Sequence, residues 1–231
     1  MLSKHEFENL IQNQPTVFIL GAGLSTASGI SDFKSLQNNF DTTELLSTEA
    51  YENNYWKQHD FMAKNLMVES HPNPAHVWLA KLSQQSNIKL ISQNIDLLLE
   101  KAGVNPDHLL KIHGTLDHFS DRNHQPVQLT EEEYKKMTPE TGDHNKVRPD
   151  IVFYGEQVKN FSKAISWVDQ AIIVVVIGTR LNVFPVSELA LSGSNMEKLI
   201  IINTDHLAIN GSDKVTVDQI NEPIVTWLNN E

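Results

Sequence analysis

The apolar run Thr16-Val17-Phe18-Ile19-Leu20 opens directly into Gly21-Ala22-Gly23-Leu24-Ser25-Thr26-Ala27-Ser28-Gly29-Ile30-Ser31-Asp32-Phe33. No other stretch limits the fold as strongly. The run reads as a buried parallel strand. Two glycines let the backbone turn sharply and approach a ligand with no Cβ in the way. The small residues after them suit the opening of a helix whose free N–H groups face a phosphate. Strand, glycine turn and helix start together predict a nucleotide pyrophosphate site. The fingerprint of hydride-transfer enzymes has a third glycine where Thr26 stands, and an acidic residue closing a second strand. No second strand comes soon enough here, which weakens the hydride-transfer reading.

Further short β-branched runs occur at Ile88–Ile91, Leu109–Ile112, Asp150–Phe153, Ala171–Ile177 and Leu199–Ile202, with helical patterns over Pro74–Gln85, Ile95–Ala102, Asn160–Val168 and Pro185–Leu191. That alternation predicts an α/β fold wound on a parallel sheet. Lys34–His71 and Asp117–Val147 break it, and are expected to pack together as a smaller lobe. A ligand should then sit between lobes at the carboxyl ends of the strands. The net charge of −11 argues against nucleic acid as a partner. The chain has no cysteine, so disulfides, thiolate nucleophiles and thiolate zinc sites are excluded. Met1–Asn13 lacks a signal-peptide pattern, and the run Ala171–Ile177 is too short to span a bilayer. A cytoplasmic protein with no membrane partner is expected.

Four more stretches carry chemistry. Ser92-Gln93-Asn94-Ile95-Asp96 comes directly after a strand and offers amide and carboxylate groups for a carboxamide or ribose hydroxyls. Capping of the next helix by Asn94 or Asp96 explains the same residues equally well. Ile112-His113-Gly114-Thr115 ends another strand; a histidine there suits a general base near neutral pH, and Gly114 suits close approach of a ligand. The chain has ten histidines, so only the position of His113, at the same sheet edge as the other motifs, favours that role over a structural one. Arg148-Pro149-Asp150-Ile151-Val152-Phe153-Tyr154-Gly155-Glu156 and Gly178-Thr179-Arg180-Leu181-Asn182-Val183-Phe184-Pro185 each carry a glycine and a proline that shape a loop.

In this order and spacing the five stretches resemble the sirtuin family of NAD-dependent protein deacylases, over about Val17 to Asn203. The resemblance implies a Rossmann-like parallel sheet with helices on both faces (1–33, 73–113 and 149–231) and a small lobe formed from two insertions (34–72 and 114–148). It also implies that NAD is consumed: the acyl oxygen of an acyl-lysine protein or peptide attacks the nicotinamide ribose, giving nicotinamide, O-acyl-ADP-ribose and free lysine. Carried over, Gly21, Ala22, Gly23 and Thr26 hold phosphates and ribose, Asp32 and Lys34 flank them, and Phe33 covers the reacting sugar. Asp96 bonds the nicotinamide carboxamide, with Gln93, Asn94 and Ile95 near the ribose. His113 is the general base, with Asn94 and Asp96 beside it in the catalytic set. Gly178, Thr179, Asn203 and Val215 meet the adenosine half. Val152, Phe153, Tyr154, Gly155 and Glu156, with Asn182, Val183 and Phe184, pair with an extended substrate as strands. ADP-ribosyl transfer to protein or water on the same fold, and a non-catalytic NAD-binding module, are the alternatives.

The chain departs from the family in several places. Two Cys-x-x-Cys pairs that hold zinc in most members are missing, so no zinc is expected. His118, His124 and His144 with Asp117, Asp121 and Asp143 are the substitutes in principle, although such scattered residues more often form a solvated surface. Ser31 replaces a proline, Lys34 an arginine, Arg180 the serine of a Gly-Thr-Ser turn, and Leu97-Leu98-Leu99 a small residue and histidine. Members that remove acidic acyl groups carry Tyr and Arg where this chain has Asp60 and Ala63, so acetyl or aliphatic acyl groups are favoured. Phe61, Met62 and Met67 are then either acyl-pocket lining or core.

Overall fold

The structure, a computed structural model, describes residues 2–141, 146–209 and 212–230, with the backbone alone at Phe33. Strands run at β1 (Thr16–Leu20), β2 (Ile88–Ser92), β3 (Leu109–Lys111), β4 (Gly114–Ser120), β5 (Pro126–Val127), β6 (Arg148–Ile151), β7 (Ile173–Ile177), β8 (Lys198–Ile202) and β9 (Thr216–Ile220). Helices run at α1 (Lys4–Ile11), α2 (Phe33–Gln37), α3 (Thr42–Leu45), α4 (Thr48–Asn53), α5 (Tyr55–Asn65), α6 (Pro74–Leu82), α7 (Leu98–Lys101), α8 (Glu131–Lys135), α9 (Phe161–Asp169), α10 (Val186–Leu189) and α11 (Ile224–Asn229). No helix among the described residues is long and apolar enough to cross a membrane.

Six strands form one parallel sheet in the order β3-β2-β1-β7-β8-β9. The period-two alternation of each strand feeds two cores. Phe18, Leu20, Val175, Ile177, Ile200 and Ile202 meet Phe7, Trp78, Leu79 and Trp227 from α1, α6 and α11. Val17, Ile19, Val174, Val176, Leu199 and Ile201 meet Ala164, Val168 and Leu189 from α9 and α10 on the other face. Burial on both faces is why these strands read as unbroken apolar runs. The chain winds outward from β1 through β2 to β3, then returns to β7 on the other side of β1. The topological switch point therefore lies between β1 and β7, where a ligand crevice is expected.

Two expectations are corrected. Asp150–Phe153 is not a strand of the parallel sheet: Arg148–Ile151 pairs antiparallel with β4, in a separate three-stranded sheet ordered β5-β4-β6. The small lobe thus extends past residue 148, because β6 hydrogen-bonds to the insertion rather than to a neighbour in the main sheet. The helix expected from Ile95 starts only at Leu98, because the Asp96 carboxylate accepts from the Leu98 amide at 3.0 Å and fixes the turn before it. Some elements carry no clear sequence signal, among them β9, an edge strand that is polar and partly exposed (Thr-Val-Asp-Gln-Ile), and α1, which Ser3 and Glu6 close with a reciprocal capping box.

The small lobe packs around Tyr51, Tyr55, Phe61, Met62, Met67, Phe119, Tyr134 and Phe153. Phe61, Met62 and Met67 are core residues of this lobe. Polar groups tie its pieces together. His59 bonds the Tyr134 carbonyl at 2.8 Å, Tyr55 donates to the Val147 carbonyl at 2.6 Å, and Gln58 donates to the Leu45 carbonyl at 2.8 Å.

Candidate active site

The carboxyl ends of β1 and β7 touch. The Gly21 amide donates to the Ile177 carbonyl at 2.9 Å, and the Gly23 amide to the Gly178 carbonyl at 2.8 Å. A Cβ on Gly21 would lie 2.5 Å from Thr179 Cβ, and one on Gly23 2.8 Å from Gly178 Cα. These glycines are thus required by contact between two turns as much as by any ligand. Beyond Gly21 the backbone forms not one helix but two short 3₁₀ turns, Ala22–Leu24 and Thr26–Ser28, with Gly29 left-handed at φ +84°. Thr26 is exposed, and its hydroxyl donates back to the Gly23 carbonyl at 3.1 Å. Asp32 caps α2 through the Ser35 amide at 2.8 Å. Burial pushes its carboxyl up, but the Ser35 hydroxyl and amide and the nearby Arg180 leave it below the ordinary range. Lys34 is exposed on α2, and the expected lid role of the Phe33 side chain lies outside the described residues.

Beside this turn, buried Ser25 gathers the second motif. Its hydroxyl donates to Asp96 Oδ2 at 2.8 Å, accepts from Asn94 Nδ2 at 3.1 Å and meets His76 Nε2 at 3.4 Å. His76 Nδ1 accepts from the Asn73 amide at 3.2 Å, so its hydrogen sits on Nε2 and points at Ser25. One hydroxyl donor and two acceptor positions are all used. Burial holds His76 down to about pKa 4, opposed by the charge of Asp96. Lys111 donates to the Asp96 carbonyl and pairs with Glu100 at 3.2 Å. One Asp96 oxygen thus takes the first amide of α7, and the other is held by the Ser25 hydroxyl. Ser25, His76, Asn73 and Lys111 join this network, although none of the sequence motifs assigns chemistry to their side chains. The Asn73-Pro74-x-His76 cap was the available signal for two of them.

His113 lies at the same edge, where its Nδ1 meets the Gln93 carbonyl at 3.0 Å. A carbonyl only accepts, so the hydrogen is on Nδ1 and Nε2 presents a lone pair. Burial keeps the imidazole below its ordinary pKa, against the opposing pull of that carbonyl, and it is neutral at pH 7. Gly114 is explained without a ligand: at φ +77° a Cβ there would collide with the Asp150 carbonyl. Gln93 Nε2 is buried without a hydrogen-bond partner. Such a donor costs free energy unless something accepts from it, and a ribose hydroxyl fits. Ile95 packs against the small-lobe core.

The remaining expected contacts divide. Asn203 is the first residue after β8 and donates to the Thr179 carbonyl at 3.4 Å, so Gly178, Thr179 and Asn203 form one wall beside Gly21. Val215 is a correction. It precedes β9, whose first residue pairs with the first residue of β8, so it sits at the amino end of the sheet. A five-residue strand, about 16 Å long, separates it from the cradle. Val152 donates to the His113 carbonyl at 2.9 Å. Tyr154 donates to the Leu46 carbonyl at 2.8 Å and accepts from the Thr48 amide at 3.1 Å, bridging to the first insertion. Phe153 is buried under the Arg148 guanidinium, 3.7 Å from its ring centre. Glu156 takes Arg148 at 2.6 and 2.9 Å and the Phe153 amide at 2.8 Å. Side chains 153 and 156 are thus engaged internally, and Gly155 holds φ +98° against Thr48. A peptide at this stretch would meet backbone. Val183 and Phe184 are exposed, Phe184 at 72%.

In the insertion, His118 bonds Asp117 at 2.8 Å, and Asp121 accepts from the Asn123 and Gln125 amides at 2.8 and 2.9 Å. His124 holds φ +58° in that loop, while Asp143 and His144 lie outside the described residues. No cluster of three or more potential metal ligands occurs among the described residues. Asp60 pairs with Lys64 at 2.7 Å on the outer surface of α5.

Comparison with known proteins bears on this arrangement. A family model described as Sir2 family matches residues 21–185. An NAD-dependent protein deacylase of Bacteroides thetaiotaomicron is 35% identical over 75% of this chain and 78% of its own length. An NAD-dependent protein deacetylase of Saccharolobus solfataricus is 32% identical over 97% and 93%. A solved Sir2 structure with a p53 peptide and NAD+ superposes with a TM-score of 0.81 at 29% identity, covering 96% of this chain and 94% of that one. Sir2 bound to acetylated peptide gives 0.80 at 29%, over 97% and 94%.

Proposed function

The chain belongs to the Sir2 family, and from that premise we infer that it is an NAD-dependent protein-lysine deacylase that releases nicotinamide and O-acyl-ADP-ribose. The observation that carries the reading is the gathering of Asn94 and Asp96 on Ser25 just after β1, with His113 held on the Gln93 carbonyl along the same carboxyl edge of the sheet. NAD fits there: the turn is close-packed and small-residued, and the buried Gln93 Nε2 lacks an acceptor. When bound, NAD supplies the nicotinamide–ribose bond that is broken.

The roles of the protein's own residues rest on their hydrogen-bonding capacities. Asp96, held by Ser25 and the Leu98 amide, accepts from the carboxamide N–H and orients the leaving group. His113 Nε2 takes a proton from a ribose hydroxyl, which a neutral imidazole does well at pH 7. The exposed segments at Gly155 and at Asn182–Phe184 are the places where an extended peptide pairs by its main chain, the Tyr154 amide and carbonyl being already engaged by Leu46 and Thr48. Asp60 and Ala63 stand where removers of acidic acyl groups carry Tyr and Arg, so the acyl group is acetyl or a longer aliphatic chain.

Mass spectrometry of the products formed from NAD and an acetyl-lysine peptide tests this. O-acetyl-ADP-ribose that appears only with the acetylated peptide is the expected result. Free ADP-ribose or ADP-ribosylated protein formed without acetyl-lysine would replace deacylation by ADP-ribosyl transfer.

A further inference from the structure

Arg180 occupies the turn after β7, one residue beyond Thr179, which sits against Gly21 of the cradle. Its side chain does not simply point to solvent. Nη2 donates to Asp205, in the turn after β8, and the guanidinium is close enough to Asp32 for its charge to act on that carboxyl. Arg180 therefore stands at the mouth of the crevice between carboxylates from two different loops. Lys34, exposed on α2, is the other cation whose charge acts on Asp32, and the remaining side chains on these walls, Ser25, Thr26, Thr179 and Asn203, are neutral. A dinucleotide pyrophosphate brings two negative charges into a chain of net charge −11, and a planar guanidinium with five donors is the group best shaped to receive it. The Asp205 pair does little for folding, since both side chains are more than one-third exposed. It is cheap to break.

We propose that Arg180 is a phosphate-binding residue for NAD and that Asp205 is its decoy, holding the guanidinium in the free enzyme and yielding it when the pyrophosphate arrives. This rests on the reading of the switch point as an NAD site. The two partners should then act with opposite signs, which a merely structural ion pair would not produce.

The test is calorimetric titration of the full-length protein with ADP-ribose, and with adenosine as a probe that lacks phosphate. Arg180→Ser should weaken ADP-ribose about tenfold, the size of one charge-assisted hydrogen bond, and leave adenosine unchanged. Asp205→Asn should tighten ADP-ribose roughly threefold by removing a competitor and a negative charge. Weakening by both substitutions, or no change with either, would overturn the proposal while leaving the NAD site intact. Failure of the unaltered protein to bind ADP-ribose at all would overturn the NAD reading itself, and the proposal with it.

Discussion

The parallel sheet and the small lobe of this protein are held by different forces. In β1, β7 and nearly all of β8, the side chains are buried from end to end and the cores on both faces are aliphatic and aromatic. The small lobe buries aromatics too, but around polar struts: His59 on the Tyr134 carbonyl, Tyr55 on the Val147 carbonyl, and Arg148 clasped to Glu156 over Phe153. An apolar core tolerates the loss of one member by partial collapse. A network of buried polar groups is left with unpaired partners when one is removed. The sheet therefore sets out the candidate catalytic groups along one edge, and the small lobe is tied together by a few specific bonds.

The largest effect should be chemical and confined to the sheet edge. His113→Ala is expected to lower deacylation about 10²–10⁴-fold, the usual share of a general base. Calorimetry should find ADP-ribose binding nearly unchanged. Unaltered turnover would remove His113 from its assigned role.

Next come two truncations that set the lobes against each other. Arg148→Ala leaves the Glu156 carboxylate without its partner, and should cost about 3 kcal/mol or more in urea unfolding. It should also raise KM for peptide more than for NAD, because the Val152–Glu156 turn loosens. Phe18→Ala, in the sheet core, should cost a similar 3–5 kcal/mol with no selective change in peptide KM. If the two variants shift KM alike, the small lobe is not the part that shapes the peptide slot.

Acid should then probe both regions. His59, His76 and His113 all have folded pKa values depressed by burial. Each binds its proton more readily unfolded than folded, so its contribution is present above the unfolded pKa near 6.5 and is lost as pH falls. For His76, depressed to about 4, the loss is roughly 3 kcal/mol between pH 6.5 and 4. Thermal melts across that window should fall steadily, and His76→Gln should flatten the slope. An unchanged slope would mean His76 is not buried neutral beside Ser25. The smallest effect should come from the exposed Lys64–Asp60 pair on α5, where Lys64→Ala should move stability by less than about 0.5 kcal/mol.

The contrast also explains what the sequence revealed. Thr16–Leu20, Ile88–Ile91, Ala171–Ile177 and Leu199–Ile202 are legible because a strand covered on both faces has no room for polar residues. Thr216–Ile220 is not, since an edge strand carries Asp218 and Gln219 and resembles a loop. Asp150–Phe153 reads as a strand, but local pattern does not say which sheet receives it; that depends on β4, whose His118 and Asp117 hide its periodicity. At the site, His113 and Asp96 are visible by their positions after strands. Ser25 and His76 are 51 residues apart, and only the fold makes them neighbours. Val215 carries no local sign of the sheet end on which it falls, because that depends on β9, which the sequence does not mark.

Activity after chelation tests most directly whether the small lobe serves the sheet-edge chemistry through its own packing. The protein would be stripped with a strong zinc chelator, its metal content measured, and O-acetyl-ADP-ribose formation monitored with NAD and an acetyl-lysine peptide. Full turnover at substoichiometric metal, with an unchanged melting temperature, is the expected result. Loss of turnover or of the folded small lobe, restored by one equivalent of zinc, would contradict it.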